Sequence, residues 1–125
     1  MPLDPGRTGR ASLVVAVADS AVSWRTGDVE VLATPRLVAL CEEACCAAVV
    51  GEVGRGNTSV GVRVQFDHLA PVRIGSSVDA EAVLEKIEGR RLTFTVSATD
   101  AVGLVGAGRM TRVLVGVDAF LSKSR

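Results

Sequence analysis

The segment from Thr34 to Val50 constrains this chain more than any other. Thr34-Pro35 reads as an N-cap followed by proline at the first helical position, where a missing N–H costs nothing. Leu37, Leu40, Cys41, Ala44, Cys45, Ala48 and Val49 then recur with the 3.6-residue period of a helix. Gly51 supplies a stop. Apart from Arg36, Glu42 and Glu43 the helix is apolar nearly all round, so it needs cover on most sides. A chain of 125 residues has material for one core, and this helix must lie in it.

The rest of the chain alternates with period two. Residues 12–19 are β-branched and apolar and read as a strand, after a lead-in at 1–11 rich in proline and glycine. Residues 20–33 are ambiguous, with a short extended stretch from Val29 to Ala33. Trp24, the only tryptophan, is expected to pack on the core or on a partner. After Gly54, Gly56 and Asn57, the apolar residues Val60, Val62, Val64 and Phe66 alternate with Ser59, Gly61, Arg63 and Gln65. Turns at 71–75, 88–89 and 100–103 separate three further strands, the last over 104–117. Connections this short make antiparallel neighbours. One helix against one antiparallel sheet is an α+β architecture, a single domain over 12–121. A sheet covers such a helix on one side only, so a homodimer or higher homo-oligomer is expected to supply the rest.

Composition narrows the function. Apolar residues make up 48%, and 14 basic residues balance 14 acidic ones, which excludes a disordered chain and gives no bulk attraction to nucleic acid. No apolar run approaches the roughly 20 residues of a membrane span, and no secretory signal layout is present. A cytoplasmic location is the default expectation. Cys41, Cys45 and Cys46 cluster in one helix, an odd set that reads as buried apolar side chains rather than disulfides or a metal site.

Three polar residues stand in apolar surroundings: Thr34, Glu42 and His68, the only histidine. A hydroxyl, a carboxylate and an imidazole can together polarise, attack and protonate an acyl group. Each also has a plain structural reading: a helix cap, a solvated helix residue, a satisfied core histidine. Eight helical residues span about 12 Å along the axis. Thr34 and Glu42 therefore reach one small group only if the chain bends at Thr34 or if two subunits share the site.

The stretches VLATPRLVALCEEA (31–44), GVRVQFDHLAPVRIGS (61–76) and EGRRLTFTVSATD (88–100) resemble the fluoroacetyl-CoA thioesterase-like family. The family's threonine, glutamate and histidine fall at Thr34, Glu42 and His68 without a gap. The resemblance runs from about residue 12 to 121. It implies a hot-dog fold, in which a curved antiparallel sheet wraps a long central helix, and hydrolysis of a short or medium acyl-CoA thioester. It makes Thr34, Glu42 and His68 the catalytic set. It assigns Gly61, through its backbone N–H, and Arg112 to substrate binding. It implies no metal and no cofactor. The family's lid phenylalanines have no counterpart between Arg25 and Leu32, which implies a broader acyl substrate than fluoroacetyl. Coenzyme A carries phosphates, and Arg36, Arg63, Arg90, Arg91 and Arg112 are the candidates to meet them. A hot-dog hydratase or dehydratase built on Asp67-His68, or a non-catalytic acyl-CoA binder, are the alternatives.

Overall fold

In the computed structural model, which describes residues 3–125, five strands and one long helix form a single layered unit. The strands are β1 (Thr8–Val14), β2 (Asn57–His68), β3 (Ser77–Glu88), β4 (Arg91–Thr99) and β5 (Leu104–Gly116). The helix α1 (Thr34–Val49) precedes β2, and a short α2 (Val117–Ser122) closes the chain. The sheet order is β1-β3-β4-β5-β2, antiparallel throughout, so β1 and β2 are its edges. Register shifts at Gly61/Arg63, Leu84/Lys86 and Ala98/Thr99 bend the sheet.

The inner face is set by alternation. Val78, Ala80, Ala82 and Leu84 of β3 and Leu92, Phe94, Val96 and Ala98 of β4 are buried, while their neighbours face outward. Against them α1 lays Leu37, Leu40, Cys41, Ala44, Cys45, Ala48 and Val49, all buried. Full burial of a Leu or Val side chain contributes about 1.5–3 kcal/mol, so this face holds α1 in place. The outer stripe of the helix carries exposed Glu43, Cys46 and Ala47 and continues to exposed Val50 just past its end.

Three expectations shift. The first strand runs over 8–14 rather than 12–19. It takes in residues read as lead-in, because Thr8 to Val14 pair with Val83 to Ser77. Residues 17–19 form a single 3-10 turn instead. Met1 and Pro2 of the lead-in lie outside the described residues. Thr34 is the first helical residue and not the cap: Ala33 holds the cap position, and no side chain caps the helix. Trp24 is 41% exposed and anchors through its indole N–H to the Ala18 carbonyl at 2.9 Å, not through the core. The stop at Gly51 holds, with a left-handed φ of 78°. The extended stretch before the helix is reduced to isolated bridges, Ser20 to Leu32 and Val31 to Arg73. Among the described residues no helix is long and apolar enough to cross a membrane.

Gly9 explains how closely β1 packs on the helix. A β-carbon there would run into the backbone of Ala44, Ala47 and Ala48. Gly9→Ala is expected to cost about 1–3 kcal/mol, the usual scale of overpacking. It should appear as a lower denaturant midpoint at unchanged slope; an unchanged midpoint would show that β1 and α1 are not in contact at this point.

Candidate active site

Two clusters of polar side chains interrupt the apolar surroundings of α1. The first lies at its N-terminus. Thr34 Oγ1 is 2.7 Å from His68 Nδ1, where the last residue of β2 meets the first residue of α1. The two are 34 positions apart in sequence, so only the tertiary fold brings them together. The Thr34 hydroxyl is thus spent on the imidazole rather than on capping the helix. The other ring nitrogen, His68 Nε2, is buried and has no hydrogen-bond partner. Buried polar atoms are nearly always paired, so one without a partner departs from the usual pattern of a folded interior. A cavity of about 350 Å³ opens at this pair, walled by Val29, Val31, Leu32, Leu69, Ala70 and Pro71. Its lining is mainly apolar, with Thr34, His68 and Thr26 as the polar groups.

The second cluster lies two turns along the helix. Arg112 Nη1 donates to Glu42 Oε2 at 2.8 Å. Arg112 is itself buried, and Ser59 holds it twice: Nε donates to the hydroxyl at 3.0 Å and Nη2 to the carbonyl at 2.9 Å. Gly61 stands opposite Arg112 in the β2–β5 register, at a bulge. A β-carbon on it would sit 2.7 Å from Glu42 Oε2. The bare glycine lets the carboxylate lie against the β2 backbone in its present place, and a β-carbon would push it aside from Arg112.

The two clusters do not merge within one chain. Thr34 and Glu42 are separated by about 12 Å of helix axis. Gly61 and His68 are separated by seven strand residues, roughly 23 Å if fully extended. The helix runs without a break from Thr34 to Val49, so no bend brings Thr34 back to Glu42. All five residues singled out above therefore fall in these two separate groups, Thr34 with His68 and Glu42 with Gly61 and Arg112.

The arginines divide. Arg36 is engaged with Asp19 at 3.0 Å and Glu43 at 3.4 Å, and Arg112 with Glu42 and Ser59, whereas Arg63, Arg90 and Arg91 are exposed. Two residues escaped the reading of the sequence. Ser59 shares a strand face with Gly61, and its spacing of two was the available signal. Asp19 gave none. Among the described residues no group of three or more His, Cys, Asp or Glu side chains is gathered as a metal site would require.

Burial pushes the Cys41 and Cys45 thiols up to about 12. At neutral pH they carry almost no thiolate, the nucleophilic form, so neither serves this chemistry. Native protein should react with a thiol reagent at pH 8 at no more than one site, the exposed Cys46. Counting thiols before and after denaturation checks this. A second fast-reacting thiol in the native state would contradict the burial of α1.

Known proteins resemble this chain in sequence and fold. The family model for the fluoroacetyl-CoA-specific thioesterase matches residues 15–118. The fluoroacetyl-CoA thioesterase of Streptantibioticus cattleyicolor is 36% identical over 96 residues, covering 77% of this chain and 69% of that protein. A solved structure of the fluoroacetyl-CoA thioesterase FlK is 29% identical with a TM-score of 0.92, over 98% of this chain and 96% of that one. A hot-dog-like protein from Thermanaerovibrio acidaminovorans is 25% identical with a TM-score of 0.88, over 97% and 90% of the two chains. The fold is the hot-dog fold that the sequence resemblance implied.

Proposed function

Because this chain belongs to the fluoroacetyl-CoA-specific thioesterase family, we propose that it hydrolyses short to medium acyl-CoA thioesters at a site shared between two subunits. One observation carries the reading: a buried, unpartnered His68 Nε2, held by Thr34 at the mouth of an apolar cavity. A two-carbon acyl group leaves most of about 350 Å³ empty. Val29 and Val31 stand on the segment where the family has its lid phenylalanines, so the cavity favours longer, apolar acyl chains over fluoroacetyl.

The dimer follows from the free edge of the sheet. β2 is twelve residues long, lies at the edge and exposes Val62 and Val64. An uncovered edge this long invites pairing with another strand. Antiparallel pairing of β2 with its own copy about a two-fold axis between Val64 and Gln65 sets Gly61 opposite the partner's His68. The Glu42 half-site of one subunit then faces the Thr34–His68 half-site of the other. The same contact offers cover to the outer stripe of α1.

The chemistry divides between the halves. Arg112 holds Glu42 Oε2, which leaves Oε1 to take a proton from the attacking water. Water oxygen bonds to the thioester carbon, and the carbonyl electrons move to oxygen. The Gly61 N–H, on backbone kept open by the missing side chain, stabilises that oxyanion. The oxyanion electrons return to carbon, the C–S bond breaks, and the coenzyme A sulfur takes a proton from Nε2 of the His68 imidazolium, whose Nδ1–H donates to Thr34 Oγ1; the proton held by Glu42 then restores the ring. Arg63, Arg90 and Arg91 are the arginines left to meet the phosphates. Asp67 is exposed on the β2 face opposite His68, so the pair does not form the facing acid and base that a hydratase needs.

Glu42→Gln should lower turnover by at least about 100-fold, the scale of a lost general base, and His68→Ala should lower kcat with KM within a few-fold. Mixing the two inactive variants tests the shared site. Random exchange makes half the dimers mixed, each with one intact site, so activity should return to about one quarter of wild type. No recovery despite proven exchange would place the whole site in one chain, and a monomer of 12.9 kDa at micromolar concentration would remove the dimer. Across a panel of linear acyl-CoAs, kcat/KM is expected to peak above acetyl, and a peak at acetyl or fluoroacetyl would overturn the cavity argument.

A further inference from the structure

The start of α1 is held by a residue outside both half-sites. No side chain caps the helix, and the hydroxyl of its first residue is engaged with His68. Asp19, at the end of the 3-10 turn, makes three ties instead. Its Oδ1 accepts from Arg36 Nε at 3.0 Å, and its Oδ2 accepts from the Ala16 N–H at 2.8 Å. Its backbone carbonyl accepts from the N–H of Ala33, the cap residue, at 2.9 Å. The Asp19 and Arg36 side chains are only 14% and 19% exposed. An ion pair so far withdrawn from water is weak evidence for stability, since its desolvation cost offsets much of its attraction. It does, however, fix direction. Arg36 stands two residues after Thr34 and Ala33 one before, so both flanks of Thr34 are pinned to a single aspartate.

We infer that Asp19, through Arg36 and the Ala33 backbone, is a positioning residue that sets Thr34 Oγ1 against His68 Nδ1. Asp19 reaches the reacting groups only through the start of the helix. The inference rests on the reading that Thr34 and His68 belong to the reacting site. A displaced Thr34 lets the imidazole turn, and Nε2 then no longer points where the departing sulfur needs its proton. Misplacement of about an ångström in such a group lowers turnover by up to about 100-fold while leaving affinity nearly intact.

Asp19→Asn keeps the size and removes the charge. His68 is the only histidine, so its ring nitrogens give one readable set of 15N signals. With Thr34→Ala as the reference for a lost hydrogen bond, Asp19→Asn should move the Nδ1 signal most of the way to that reference. An unmoved signal overturns the inference, whether or not the protein hydrolyses anything. In steady-state assays Asp19→Asn should lower kcat about 10-fold or more with KM within about 3-fold. The double variant with Thr34→Ala should be no slower than Thr34→Ala alone, as expected for residues acting through one group. An equal further loss in the Thr34→Ala background would make Asp19 merely structural and overturn the inference. Should Asp19→Asn fail to fold, Arg36→Gln gives the same two readouts with the ion pair removed, and an unmoved Nδ1 signal in that folded variant overturns the inference equally. If Thr34→Ala itself turns over normally, the reading of the catalytic site falls, and the ring signal still decides whether Asp19 positions Thr34.

Discussion

The contact of α1 with the inner face of the sheet is the constraint from which the other features follow. Seven buried side chains on one helical face and the bare Gly9 backbone on β1 press helix and sheet together. Neither can slide without opening a cavity, and close-packed interiors resist that strongly. The helix is therefore a rigid ruler. Thr34 and Glu42 are fixed eight residues apart along it, and the sheet fixes His68, at the end of β2, and Gly61, seven residues before it, against them. A chain packed this way keeps the two polar groups apart.

The half-sites differ in electrostatic character. At Glu42 two opposite charges meet beside a buried guanidinium, and every nitrogen of Arg112 has an acceptor in Glu42 or Ser59. Removing Glu42 would leave the buried Arg112 guanidinium without its counter-charge. The carboxylate thus sits in a fixed orientation before any substrate arrives, as a preorganised site requires. At Thr34–His68 no formal charge is paired. An imidazole with one nitrogen satisfied and the other open is suited to exchange a proton. A rigid anion on one side and an imidazole able to carry a proton on the other suit the two ends of the proposed thioester cleavage, addition at carbon and departure of sulfur.

Much of this was legible in the chain. The period of α1, the glycine stop and the turns before β3, β4 and β5 mark their elements directly, since each rests on local backbone or side-chain preference. Thr34, Glu42 and His68 stood out as polar residues in apolar surroundings, whereas Gly61 and Arg112 were pointed to by the family resemblance alone. The first strand was misplaced because β-branched residues continue past its true end, while its start is set by pairing with β3 and by the gap at Gly9. Neither of those is local. Nor is the Asp19–Arg36 pair, which closes a loop of 17 positions through a segment without periodicity. Pairing across such distances depends on the fold already formed.

Thr34 shows why residue type alone stops short of role. A threonine before a proline at a helix start carries the signature of a cap, and only its apolar surroundings and the family resemblance pointed to another role. In the structure the same hydroxyl turns to His68. The helix start gives up a contribution of about 1 kcal/mol from a side-chain cap and is held by Asp19 at a distance. The local rule fails where a functional group has been drawn out of its structural job, and the compensating contact appears elsewhere in the fold. That failure is itself informative. A helix whose apparent cap residue makes no capping bond, beside a buried ring nitrogen with no partner, marks a position where the fold holds a side chain ready for something it does not itself contain.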